Sequence, residues 1–291
     1  SPDKNGNWLG IDVDICKGFA ATVLGDKNKI KFISLNAQQR FTALQSGEVD
    51  VLSRNTTLNL GRDTSMGLNF APVTYYDGQG FMVRKKDGVK SAKDLNGASI
   101  CTQQGTTTEL NLADYFRANN MKFRPVVFES NEEVNQAFLK GRCDALTTDQ
   151  SGLASERSKL KNPRDYLILP EIISKEPLAP AVRHGDDSWF DIIKWTIYAL
   201  VEAEELGINS KNIKTFLKSK DPRIKRFLGV IPGNGKSLGL DEKWAFQLIS
   251  QVGNYGEIFN RNIGKESPLK LPRGINALWK SGGLMYSPPI R

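Results

Sequence analysis

Phe41-Thr-Ala-Leu-Gln-Ser-Gly47-Glu-Val49-Asp50-Val-Leu52-Ser-Arg-Asn55 aligns without a gap with Asn135-Gln-Ala-Phe-Leu-Lys-Gly141-Arg-Cys143-Asp144-Ala-Leu146-Thr-Thr-Asp149. In each stretch an amphipathic segment stops at a glycine, an Asp follows, and a short apolar run breaks into polar side chains. One helix-then-strand unit is therefore written twice. A solenoid needs more copies, so two point to two similar α/β lobes. If the lobes face each other, the polar strand ends, Ser53 to Thr57 and Thr147 to Asp149, converge on one crevice.

The alternation extends outward from both copies. Before the first, Asp12 to Leu24 carries Ile15, Phe19 and Val23 on one helical face and stops at Gly25. Lys29-Ile-Lys-Phe-Ile33 alternates as a strand, Asn36 caps the next helix, and Val49 to Leu52 is the following strand. Around the second copy, Ser99 to Cys101 reads as a strand and Thr106-x-x-Glu109 as a capping box. Pro125 to Phe128 is a further strand, and Ser130-x-x-Glu133 a second capping box. The order strand–helix–strand–helix–strand predicts a parallel, doubly wound sheet. The first region lacks an opening strand equivalent to Ser99 to Cys101, so residues before Ser1 are expected to have been lost.

Phe81 to Val83 and Ala179 to Val182 read as two hinge strands. They divide the chain into a discontinuous first lobe, residues 1–82 and 184–291, and a second lobe, residues 83–183. Helices from Trp189 to Leu200 and from Trp244 to Val252 are expected to pack back on the first lobe.

Composition excludes several function classes. The chain has 291 residues, 39% of them hydrophobic and 25% charged, with a net charge of +8. Its Lys and Arg residues are dispersed, and the run from Lys211 to Arg226 is interrupted by Asp and Pro. No helix-turn-helix or zinc-finger signature accompanies them, so nucleic acid is not an expected partner. One His and no CxxC pair argue against a metal site. No apolar run approaches the ~20 residues that span a bilayer. The N-terminus has no signal pattern, so any targeting peptide is expected to be already removed. Cys101 and Cys143 admit two readings, a disulfide or two buried thiols, and Cys16 is the odd third.

Three groups fall at strand ends and helix starts, where ligands bind in open α/β sheets. Gln104-Gly105-Thr106-Thr107 offers hydroxyls and free N–H groups to an anion. Arg62 can grip a carboxylate bidentately, and Asp149 can accept an ammonium group. Each has an ordinary explanation alone: an N-cap, a surface arginine, a helix cap. Together they suit a zwitterion, of which an α-amino acid is the smallest common example. No Ser/His/Asp set, close carboxylate pair or phosphate-binding loop supplies catalytic machinery, and no cofactor is expected.

At these residues the chain resembles the periplasmic amino-acid-binding proteins of ABC importers, the type II solute-binding proteins. Within them it is closest to the general L-amino-acid-binding branch. The resemblance runs from Gly6 to Arg291 and includes Asn5 to Cys16, Ser53 to Thr57 with Arg62, Tyr75 to Phe81, Gln104 to Phe116 and Gly141 to Asp149. It implies a periplasmic, monomeric protein of a Gram-negative bacterium that closes two doubly wound lobes, joined by two hinge strands, on a free L-amino acid. The protein would then deliver this ligand to a membrane permease. Arg62 would hold the ligand carboxylate, helped by Thr57, by Thr106 and by the backbone near Asn55 and Thr107. Asp149 would hold the α-ammonium. Arg40, with Tyr75 nearby, falls where relatives place a side-chain pocket. Facing the pocket, Arg40 would favour acidic, polar or amide side chains; the alternative directs it to the surface. The family pattern also prefers a Cys101–Cys143 disulfide. Two rivals use related chemistry: a dehydratase or lyase on the same fold, and the ligand-binding domain of a sensory receptor.

Overall fold

The computed structural model describes residues 6–291. Its largest sheet has five strands: β3 (Gln79–Arg84), β4 (Ser99–Gln103), β5 (Arg124–Phe128), β6 (Ala145–Asp149) and β7 (Tyr166–Ile168). The order is β5-β4-β6-β3-β7. β4 runs parallel to both β5 and β6, while β3 is antiparallel to β6 and β7. The strand–helix–strand–helix–strand reading holds here, with α4 (Thr107–Ala118) and α5 (Asn131–Leu139) as the crossovers.

The helix stop of the doubled unit is reproduced bond for bond. α2 (Gln39–Ser46) ends at Gly47, and α5 ends just before Gly141; both glycines are left-handed, at φ 81° and 76°. At such a helix stop a side chain would be strained. Gly47 donates to Leu44 O and Glu48 to Ala43 O, as Gly141 donates to Phe138 O and Arg142 to Ala137 O. Leu44 and its counterpart Phe138 are almost fully buried. Each contributes about 1.5–3 kcal/mol through burial.

The strand that follows differs between the copies. β6 pairs on both edges, whereas Val49 to Leu52 forms only the isolated bridge Leu52↔Ala181. Lys29 to Ile33, expected as a strand, pairs with nothing among the described residues. An alternating pattern becomes a strand only when a neighbouring backbone completes its hydrogen bonds. The first lobe is held together mainly by helices instead. α1 (Ile11–Leu24) packs on the helix Trp244–Val252, and Ile15 and Phe19 share a core with Leu248, Ile197 and Tyr255. Gly18 allows this closeness, because a Cβ there would lie 3.0 Å from Leu248 Cδ1. The tail therefore packs back as expected, although its first helix runs longer, as α7 (Asp187–Glu205).

The core clusters around the five-stranded sheet share no residues with those around α1 and α7. The two segments expected as hinges do not pair with each other. Phe81 to Val83 belongs to β3, while β9 (Ala181–Arg183) pairs with β1 (Leu68–Phe70). Between them runs an antiparallel ribbon, β2 (Tyr75–Asp77) with β8 (Glu176–Leu178), in the register Tyr75↔Leu178, Tyr76↔Pro177 and Asp77↔Glu176. Cys101 and Cys143 form a disulfide with a Cα–Cα distance of 5.7 Å, beside the core of Met82, Phe138 and Leu146. Cys16 is free, and burial with Asp12 nearby pushes its thiol up to about 12.

Candidate ligand-binding cleft

The strand ends and helix starts of the two cores meet across a cavity of about 930 Å³. Arg40, Asn55 and Thr57 line it from one side, and Thr106, Thr107 and Asp149 from the other. The walls touch: the Thr57 and Thr107 hydroxyls are 3.4 Å apart, and the Asn36 amide donates to Glu129 at 3.3 Å.

Arg62 sits behind the wall. Asn59 caps α3 (Leu60–Ser65) by accepting from Arg62 N, which turns the arginine inward. Its guanidinium is buried, lies over the Phe41 ring at 5.1 Å and donates to Thr57 O at 2.9 Å. Arg62 thus braces Thr57 and does not itself line the cavity. Arg40 is not directed to the surface. It is 3% exposed, stacks over Phe41, and donates from Nη1 to Arg54 O and Thr56 Oγ1 at 3.3 and 3.2 Å. Its Nε is buried without a hydrogen-bond partner among the described residues. Burial, with Arg62 and Arg54 close by, pushes its pKa down to about 9, so the group stays charged at neutral pH.

Asp149 ends β6 and starts α6 (Gln150–Ser158), yet its side chain does not cap that helix. The carboxylate instead accepts from Asn55 Nδ2 at 3.4 Å. Burial raises its pKa to about 8, with Asp77 and Glu176 adding to the shift. Asn55 is held at φ 28°, its N–H donating to Asp12 Oδ2 at 3.1 Å. The strained backbone aims its amide at the cavity.

Thr106 caps α4, accepting from Glu109 N at 3.3 Å and donating to Gln103 O at 2.7 Å. Its hydroxyl is therefore committed to backbone. The expected capping box is incomplete, because the Glu109 carboxylate accepts from Gly105 N rather than Thr106 N. The Ser130–Glu133 box is complete. Tyr75 does not line the cavity; its buried ring stacks on Phe259 at 6.2 Å. Burial, with Asp77 and Asp149 nearby, pushes its hydroxyl pKa up.

Two acids of the ribbon escaped the sequence reading. Glu176 is 1% exposed and accepts from Thr57, from Thr107 at 3.0 Å, and from Asn111 and Ser174 at 2.6 Å each. Asp77, pushed up by burial, accepts from Ser151 Oγ and Gly78 N. Asp149 and Arg40 line the cavity, and the charges of Asp77, Glu176 and Arg62 act on them from behind its wall. Buried charges of both signs within one cleft can complement an ammonium and a carboxylate together.

A profile of the bacterial extracellular solute-binding proteins, family 3, matches residues 1–214. The general L-amino acid-binding periplasmic protein AapJ of Rhizobium johnstonii is 62% identical over 293 residues, covering 100% of this chain and 86% of its own length. The glutamate/glutamine/aspartate/asparagine-binding protein BztA of Rhodobacter capsulatus is 55% identical over 292 residues, covering 100% and 86%. Among solved structures, an ABC transporter/periplasmic binding protein from Brucella ovis with glutathione bound superposes with a TM-score of 0.98 at 58% identity. That match covers 100% of this chain and 92% of the other. These relatives are solute-binding proteins.

Proposed function

Because the chain belongs to the bacterial extracellular solute-binding proteins, family 3, we propose that it captures free L-amino acids in the periplasm of a Gram-negative bacterium and hands them to the permease of an ABC importer. The observation that carries this reading is one buried carboxylate, Asp149, set across a cavity from Arg40 and from Thr57, which Arg62 braces. Asp149 holds the α-ammonium. Thr57, Thr107 and Arg62 receive the α-carboxylate, and Arg62 reaches it once Thr57 yields. Arg40 faces the side chain and favours acid, amide or polar ligands.

The lobes close on the ligand by bending at the β2/β8 ribbon, which lies a few residues before each of the boundaries expected at 82/83 and 183/184. The protein acts as a monomer. The relatives are solute-binding proteins, which favours capture over a lyase reaction. No helix of the described residues is long and apolar enough to cross a membrane.

A second reading follows from a solved relative. The Brucella relative carries glutathione, whose γ-glutamyl end is an α-amino acid. A thermal-shift screen of the twenty amino acids and glutathione tests both, because a ligand that binds only the folded state raises its Tm. No shift with any of them sinks the proposal.

A further inference from the structure

Arg54 takes no part in the roles assigned above, yet it lines the cleft. Its guanidinium is half-buried and makes no hydrogen bond or ion pair with any described residue. Its backbone is pinned: the Arg54 carbonyl accepts from Arg40 Nη1 at 3.3 Å and from Thr56 Oγ1 at 2.9 Å. The side chain makes no hydrogen bond, although the Asp12 carboxylate attracts it. Of the nearby acids, Asp12, whose charge acts on the Arg54 guanidinium, accepts from Ser53 and Asn55, and Glu156 pairs with Lys159 at 3.0 Å.

Arg54 lines both the 930 Å³ cavity and a smaller one of about 650 Å³ that continues past the start of α5, beside Asn131, Asn135 and Gln136. Gln103 and Glu156 also line both, so the two spaces adjoin at Arg54. A guanidinium drawn partly out of water without a partner is costly, and its planar fork of donors matches a carboxylate. Asp149, which would take the ammonium, lies on the opposite wall of the larger cavity.

We propose that Arg54 binds a second carboxylate of the ligand, so that the preferred ligands are dicarboxylic, with an α-amino-acid head held at Asp149 and a further carboxylate at Arg54. This rests on the amino-acid reading of the cleft. The carboxylate belongs either to a short acidic side chain or to the far end of a γ-glutamyl peptide reaching into the smaller cavity. Recognition at Arg54 is the same for both.

Calorimetry on the full chain with L-glutamate, glutathione and, as the neutral reference, L-glutamine tests the assignment. In R54Q, glutamate or glutathione should bind at least about tenfold more weakly, the loss expected of a charge-assisted bond. Glutamine should change by less than about twofold, ~0.4 kcal/mol, which also reports that the variant is folded. R54K should recover part of the loss. Weakening confined to glutamate assigns the site to a side-chain carboxylate, and weakening confined to glutathione to an extended peptide. Equal weakening of glutamine, or unchanged binding of both dicarboxylates, overturns the proposal. So does a wild-type protein that binds glutamine but neither dicarboxylate. A wild-type protein that binds none of the three overturns the amino-acid reading as well.

Discussion

Asn55 and Asp149 occupy the same position in the doubled unit, and the Asn55 amide donates to the Asp149 carboxylate at 3.4 Å. Equivalent strand ends, one per lobe, thus meet end to end. The contact joins the walls through a carboxylate that the proposed ligand must claim, so capture includes exchange of one partner for another.

That exchange has a pH signature. The Asp149 pKa is raised to about 8 by burial, then by Asp77 and Glu176. An acid raised on folding keeps its proton in the native state where the unfolded chain has lost it. Ligand-free stability should therefore fall as pH climbs from about 4 towards 8. Ammonium binding needs the ionised form, so affinity should rise over the upper part of this range. Titrations near pH 7 in buffers of different ionisation enthalpy should reveal release of about one proton per ligand. Absence of proton release would count against Asp149 as the ammonium acceptor, and Asp149→Asn should abolish the pH dependence.

Arg62→Met should weaken amino-acid binding by roughly tenfold to a hundredfold, the range expected for losing a charged hydrogen bond of about 1.5–3 kcal/mol. Arg62→Lys should recover little, since an ammonium lacks the planar fork. An unchanged Kd in the Met variant removes Arg62 from the site and leaves it only as a brace for Thr57.

Glu176→Gln keeps the side-chain shape but leaves one acceptor oxygen for donors that now divide between two. The ligand-free protein should lose about 1–3 kcal/mol and, with Thr57 and Thr107 no longer sharing an oxygen, show a larger radius of gyration by X-ray scattering. Removing this charge should also lower the pH at which ligand affinity rises, because Glu176 helps to raise Asp149. If neither quantity moves, Glu176 does not couple the walls.

Replacing Cys101 and Cys143 by Ala opens a bridge between residues 42 apart in sequence. Denaturant unfolding should report a loss of about 2–4 kcal/mol. Ligand affinity should hold, because the bridge abuts the core of Phe138 and Leu146 rather than Asp149. A large fall in affinity would mean that the bridge also shapes the cleft.

Much of this was readable from residue spacing. Glycine stops, Ser130 with Glu133 and the repeat itself are local signals, and each appears where its chemistry predicts. What was hidden depends on distant partners. Lys29 to Ile33 alternates like a strand, but strandedness belongs to a pair of backbones and not to one. Tyr75 looked like a pocket residue until Phe259, remote in sequence, claimed its ring. Glu176 lies in a three-residue strand too short for any period, and only the convergence of Thr57, Thr107 and Asn111 reveals it.

In the β2/β8 register Asp77 stands directly opposite Glu176. Like charges so placed repel, and here they sit on the ribbon about which the proposed closure turns. Points on an axle travel least. On the proposed closure the lobes swing through a wide arc while this pair stays almost still, so its field acts on an entering ammonium before the walls have met. The acids that greet the ligand and the pivot on which the protein shuts are one structure, and a change to either residue should alter reception and movement together.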